Sequence, residues 1–205
     1  MQSFLTPDKL YFKKGCLPVA LRELRDELHA SRVLIVTDEA MLHTNGLAPV
    51  TNALNELGIT YGVNAERFDY DAVILCGTPD VWQYIPEGAC IVIPTAFAST
   101  DVFPWLSADM VILDEDMIGE VQTPEILKAA AQSLHGENAS DYTLAWAVQA
   151  LRLVRNGGSL LHAAALAGLA KAVAEPESAS VDLRPDAAEA LGLSADELET
   201  FLRQK

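Results

Sequence analysis

The sequence predicts an α/β protein. A parallel, doubly wound domain spans residues 1–121, and an all-helical domain spans 122–205. Short apolar runs recur at residues 33–36, 72–75, 90–93 and 110–113, each stopping at turn chemistry, as strands buried on both faces do. Helix-period segments separate them, the alternation that builds a parallel sheet. After about Gly119 the strand-like runs cease.

In order along the chain, Leu10-Tyr11-Phe12 reads as a short strand ending at Lys13-Lys14-Gly15. Leu17, Leu21, Leu24 and Leu28 then recur at helical spacing, with Arg22, Glu23 and Arg25 between them. Val33-Leu34-Ile35-Val36 is the next strand, predicted to be covered on both faces. Leu47, Val50, Leu54 and Leu57 mark a helix with Pro49 in its first turn and Gly58 closing it.

Beyond the last strand, Thr123 is predicted as an N-cap, followed by Pro124, Glu125 and an apolar face of Ile126, Leu127, Ala130, Ala131 and Leu134. Ser140-Asp141 opens a second helix carrying Leu144, Trp146, Val148, Leu151 and Val154, which Asn156-Gly157-Gly158 ends. Ser159 starts a third, rich in alanine and leucine and apolar on most sides, so it belongs in a core or an interface. The chain is polar from Pro176 to Ser194, where Ser-Ala-Asp-Glu forms a capping box with Glu197. Leu198, Phe201 and Leu202 are the apolar face of that final helix.

The charge balance excludes some partners. With 14 basic and 29 acidic residues the net charge is −15, which repels nucleic-acid phosphates and anionic lipid. Cys16, Cys76 and Cys90 are an odd number without a C-x-x-C spacing, as expected of reduced thiols in the cytoplasm. Residues 1–9 lack the apolar core of a signal peptide. The apolar run 160–174 is interrupted by His162 and Lys171 and is shorter than a membrane span. A soluble, cytoplasmic protein is expected.

Open parallel sheets bind ligands at the carboxyl ends of their strands, which directs attention to the polar residues there. Thr37-Asp38 offers a carboxylate that either accepts hydrogen bonds from a ribose diol or caps a helix. Gly77-Thr78 either lets backbone N–H groups approach a phosphate or is an ordinary turn before Pro79. Asp114-Glu115-Asp116 is similar to the aspartate pair of Mg²⁺-dependent phosphohydrolases, but the poorly specific motif is better read as acidic residues leaving a strand for solvent. The histidines, His29, His43, His135 and His162, lack metal-binding spacing; His162 reads as a core histidine and His135 as a helix end.

Several stretches, in order, resemble the iron-containing alcohol dehydrogenases, including the alcohol-dehydrogenase half of aldehyde-alcohol dehydrogenases. Residues 10–17 are similar to the family's opening strand and glycine, and 33–38 to its strand ending in Thr-Asp. Ile93-Pro94-Thr95 resembles the start of I-P-T-T-S-G-T-G-S-E, and residues 107–114 resemble (T/S)-P-D-M-A-I-L-D. Residues 138–142 and 161–168 match helical segments of its second domain. The resemblance implies a dehydroquinate synthase-like fold. Its α/β domain would bind NAD(P) through Asp38, Gly77 and Thr95, and its helical domain would hold iron or zinc through one Asp and three His.

The departures fall on that chemistry. The family's G-G-G-S becomes Gly77-Thr78-Pro79-Asp80, and S-G-T-G-S-E becomes Ala96-Phe97-Ala98-Ser99-Thr100-Asp101. His135 matches the histidine of the D-x-x-x-H pair, but Ala131 stands where its aspartate belongs. The likeness fades after Gly168, and His162 matches a histidine that is not a ligand. A catalytic metal needs at least about three protein ligands. The resemblance therefore implies a shortened relative without the metal site, inactive, binding NAD at most weakly and serving as a binding or assembly partner. A residual NAD(P)-dependent alcohol or aldehyde oxidoreductase is the alternative, and a Mg²⁺-dependent phosphohydrolase using Asp114 and Asp116 the second. A homodimer is expected, because Leu10-Tyr11-Phe12 is an edge candidate. The apolar faces within 144–154 and 160–174 must also be covered, by the polar tail or by a second chain.

Overall fold

Six short strands pair in parallel to form a sheet in the order β1-β6-β5-β4-β2-β3. They are β1 Lys9–Phe12, β2 Arg32–Thr37, β3 Thr60–Val63, β4 Ala72–Gly77, β5 Cys90–Pro94 and β6 Met110–Leu113. The structure is a computed structural model that describes residues 7–67, 69–82, 89–97, 108–135, 140–174 and 184–204. The predicted features at residues 1–6, 98–101, 107, 138–139 and 175–183 lie outside the described residues. The chain divides into two compact units, Met1–Phe97 with Pro104–Glu120, and Ala98–Phe103 with Val121–Lys205.

In the first unit, one sheet face carries Val33, Ile35, Ile74, Cys76, Ile91, Ile93 and Ile112. It packs on α1 (Leu17–Asp26) and α3 (Ala48–Leu57) through Leu17, Leu21, Leu24, Val50 and Leu54. Each such side chain contributes roughly 1.5–3 kcal/mol relative to its exposed state. Every residue of β4, β5 and β6 is buried. In β2, however, burial alternates, with Leu34 and Val36 only half-covered, so its second face is not sealed as predicted. Helix α1 stops at Asp26, and Leu28 lies beyond it, 37% exposed. Leu28 N–H donates to the Glu23 carbonyl and Ala30 N–H to that of Leu24, closing the helix before the turn into β2.

Strand β3, with its half-exposed Thr-Tyr-Gly-Val, and the five-residue α2 (Glu39–His43) carry little periodicity, and the sequence reading did not include them. Two carboxylates fasten the amino ends of the strands. Asp71 accepts from Ser31 N–H and Oγ and from Arg32 N–H, and Asp109 accepts from Cys90 N–H at 2.6 Å.

In the second unit only helices occur among the described residues: α5 Thr123–Leu134, α6 Asp141–Arg155, α7 Leu160–Val173, α8 Pro185–Leu191 and α9 Ala195–Arg203. The first three pack mutually, and the alanines of α7 allow close approach. Ser140, Ser159 and Ser194 cap α6, α7 and α9 through their side chains, as predicted. At α5 the cap position falls to Gln122, with Thr123 already helical, and Ala129 rather than Ala131 lies fully buried. Arg152 and Arg155 donate to the Ala190 and Leu191 carbonyls at the end of α8, each at 2.5 Å. Among the described residues no helix is long and apolar enough to cross a membrane.

Candidate functional site

The strand order reverses between β2 and β4, since β2 leads outward to β3 and β4 leads the other way to β5. Such a switch point leaves a crevice at the carboxyl ends of the strands. Asp38 follows β2, Gly77 ends β4 and Thr95 follows β5, so the fold brings these residues side by side.

Their polar groups bond to one another. Asp38 Oδ1 accepts from Met41 N–H at 2.9 Å, capping α2, and Oδ2 accepts from Thr78 N–H at 3.0 Å. Burial acts to raise the Asp38 pKa. The N–H groups of Met41, Thr78 and Ala40, with the Thr78 hydroxyl, outweigh it and hold the carboxyl below its usual range. Gly77 is needed for this contact. At φ +153° it occupies a region side chains rarely adopt, and a Cβ there would meet Asp38 Oδ2 at 2.5 Å. The Gly77 carbonyl accepts from the Trp82 indole at 2.9 Å and from Thr95 N–H at 3.0 Å. Trp82, fully buried on the four-residue α4 (Pro79–Trp82), has no signal in the sequence that marks this role.

Beside them, the Asn64 side chain continues the β2–β3 pairing, donating to the Thr37 carbonyl and accepting from Thr37 N–H. The Thr37 hydroxyl is buried and makes no hydrogen bond. Cys76, next to it across β4, is pushed up to about 12 by burial and then by the Asp38 charge, and Cys90 likewise to about 12 by burial and Asp109. Both are held as thiols.

The structure corrects the phosphohydrolase reading. Asp114 is 2% exposed and faces its own backbone: Oδ1 accepts from Gly15 and Asp116 N–H, and Oδ2 from Leu17 N–H at 2.8 Å. It caps α1 from the neighbouring strand end, and at this burial its oxygens are turned to the backbone rather than open to a phosphoryl group. Asp116 is exposed and pairs with Lys14 at 3.3 Å.

Neither implied group fits the described residues. A diphosphate clasp needs N–H donors at a helix start, yet Thr78 N–H is bonded to Asp38 and α4 has a single turn. For a metal, His135 caps the end of α5 with its buried Nδ1 unbonded, but Ala131 offers a methyl group one turn earlier. Among the described residues no three His, Cys, Asp or Glu side chains converge on a metal position. His162 is half-buried in α7 rather than within the core, and burial lowers its pKa.

No family model and no curated protein matches the sequence. Solved structures do match the fold. A 1,3-propanediol oxidoreductase shares 17% identity over 85% of this chain and 65% of its own, with a TM-score of 0.62. The iron-containing alcohol dehydrogenase of Thermotoga maritima shares 14% over 85% and 68%, at 0.61. The maleylacetate reductase of Agrobacterium tumefaciens shares 18% over 85% and 66%, at 0.58. The chain spans about two thirds of the length of these proteins. A parallel sheet with its strand ends at the switch point, followed by packed helices, is thus what the sequence resemblance implied: the chain has the fold of the iron-containing alcohol dehydrogenases.

Proposed function

We propose that this chain is an iron-containing alcohol dehydrogenase-like protein that holds no catalytic metal, is inactive as a dehydrogenase, and serves in the cytoplasm as a binding or assembly partner. Residues 1–121 act as a nucleotide-binding-like scaffold and 122–205 as a helical domain. The observation that carries the reading is the Asp38–Thr78 hydrogen bond, which closes the switch point with a carboxylate where the fold offers a diphosphate its N–H groups. Ala131, one turn before His135, supports it from the metal side. Metal analysis of protein purified without chelator tests it, with iron and zinc expected far below one per chain. Stoichiometric metal would overturn the reading.

A residual NAD(P)-dependent alcohol or aldehyde oxidoreductase is the second reading, favoured by the alignment of Asp38, Gly77 and Thr95 on three adjacent strands. It requires NAD or NADP binding in the micromolar range by calorimetry, where the first reading expects weak binding or none.

A further inference from the structure

We infer that Trp82 is the lock of an autoinhibitory contact: its indole holds the Gly77–Thr78 peptide with the N–H turned onto Asp38, so the crevice opens only when indole and carboxylate let go together. The inference rests on the closed switch point proposed above and adds the device that keeps it closed. The Gly77 carbonyl and the Thr78 N–H are the two ends of one trans peptide and point in opposite directions. Thr78 N–H donates to Asp38 Oδ2 at 3.0 Å. At the other end, the Gly77 oxygen accepts from Trp82 Nε1 at 2.9 Å and from Thr95 N–H at 3.0 Å. The carboxylate thus grips one end of the peptide, and the indole and Thr95 grip the other. A peptide that turns loses all three bonds at once.

Two features make this peptide a device rather than an ordinary turn. It is flanked by Gly77, at φ +153°, the residue type whose backbone turns most freely. Trp82 is 1% exposed, and a buried indole N–H gives up an acceptor at greater cost than one in water. The bond spans five residues, so the short α4 folds the ring back onto the end of the strand that precedes it. An anion approaching Thr78 N–H therefore competes with Asp38 for a donor whose direction is set from behind by Trp82. Closed and open are two arrangements of one peptide, and Trp82 biases the choice without facing the crevice donor itself.

Amide hydrogen exchange of the full chain, followed residue by residue by NMR, is the test. Replacing Trp82 by its benzothienyl analogue keeps the size of the ring and puts sulfur in place of the N–H donor. Exchange at Thr78 and Thr95 should then rise roughly three- to tenfold, the worth of one hydrogen bond. Ile74 and Val92, in the middle of β4 and β5, should keep their rates. Trp82→Phe should likewise raise Thr78 and Thr95 above any change at Ile74 and Val92. Thr78 exchange unaltered in the analogue, or raised no more than that of Ile74 and Val92, overturns the inference. Asp38→Ser separates the two proposals. Unaltered Thr78 exchange in that variant strikes the closed site itself, whereas unaltered exchange in the Trp82 analogue alone strikes only the lock.

Discussion

Gly77→Ala probes whether the switch point is closed by its own residues. The new Cβ lies 2.5 Å from Asp38 Oδ2 and 3.0 Å from Val81 Cγ2. Ordinary contact requires the carboxylate to withdraw by about 1 Å, which breaks its 3.0 Å bond to Thr78 N–H. A hydrogen bond to a charged group contributes roughly 1.5–3 kcal/mol, and alanine at φ +153° adds strain of about 1–3 kcal/mol. The expected loss is about 2.5–6 kcal/mol. In an Asp38→Ser background the serine still caps α2 but no longer reaches residue 77, so only the strain and the Val81 contact remain. Urea denaturation of the wild type, both single variants and the double variant measures the coupling, expected at about 1.5–3 kcal/mol. Additivity to within about 0.5 kcal/mol would refute the contact on which the closed site rests.

Two further outcomes follow from the carboxylates. Asp114→Ala leaves the N–H groups of Gly15, Leu17 and Asp116 without their acceptor and should destabilise by about 3 kcal/mol or more in chemical denaturation, with no phosphatase activity to lose. Asp71 is held well below the usual carboxylate range by Ser31 N–H first, then by the Ser31 hydroxyl and Arg32. A depressed acid stabilises the fold above its unfolded pKa of about 3.9 and loses that contribution as pH falls toward the folded value. The melting temperature should therefore drop from pH 5 downward, less steeply in Asp71→Ala; equal slopes would remove the clamp from the account.

Strands and long helices were legible because their signals are local. Val73, Ile74 and Leu75 are apolar on both faces, and Ser140, Ser159 and Ser194 cap helices with their own side chains. Burial on the second face of β2 was not, because it depends on what lies over Leu34 and Val36 rather than on those residues. Strand β3 was hidden by Gly62, and the end of α1 by Leu28, whose spacing continues a pattern that the backbone has already left. At the site, the sequence marked Asp38 and Gly77 as strand-end residues and Thr95 through the resemblance, but not that they satisfy one another. That depends on Thr78 N–H turning toward Asp38, a contact across 40 positions. The same holds for Asp114, whose three backbone partners include two that lie 97 and 99 residues away.

The two readings of Asp38 give opposite signs in one experiment. If its carboxylate is an acceptor for a ribose, Asp38→Ser removes a ligand contact and weakens NAD binding. If it closes the crevice, the same change frees Thr78 N–H and removes a negative charge from beside the place a diphosphate takes. A ligand reaching that N–H in the wild type must first displace a bond of about 1.5–3 kcal/mol, a factor of roughly 10–150 in affinity. Serine retains the cap of α2, so the backbone of the site is left in place. Calorimetric titration with ADP, which presents the diphosphate without the nicotinamide, should therefore show tighter binding to Asp38→Ser than to the wild type, by tenfold or more. Affinity that is unchanged or lower would return Asp38 to the ribose and restore the oxidoreductase reading.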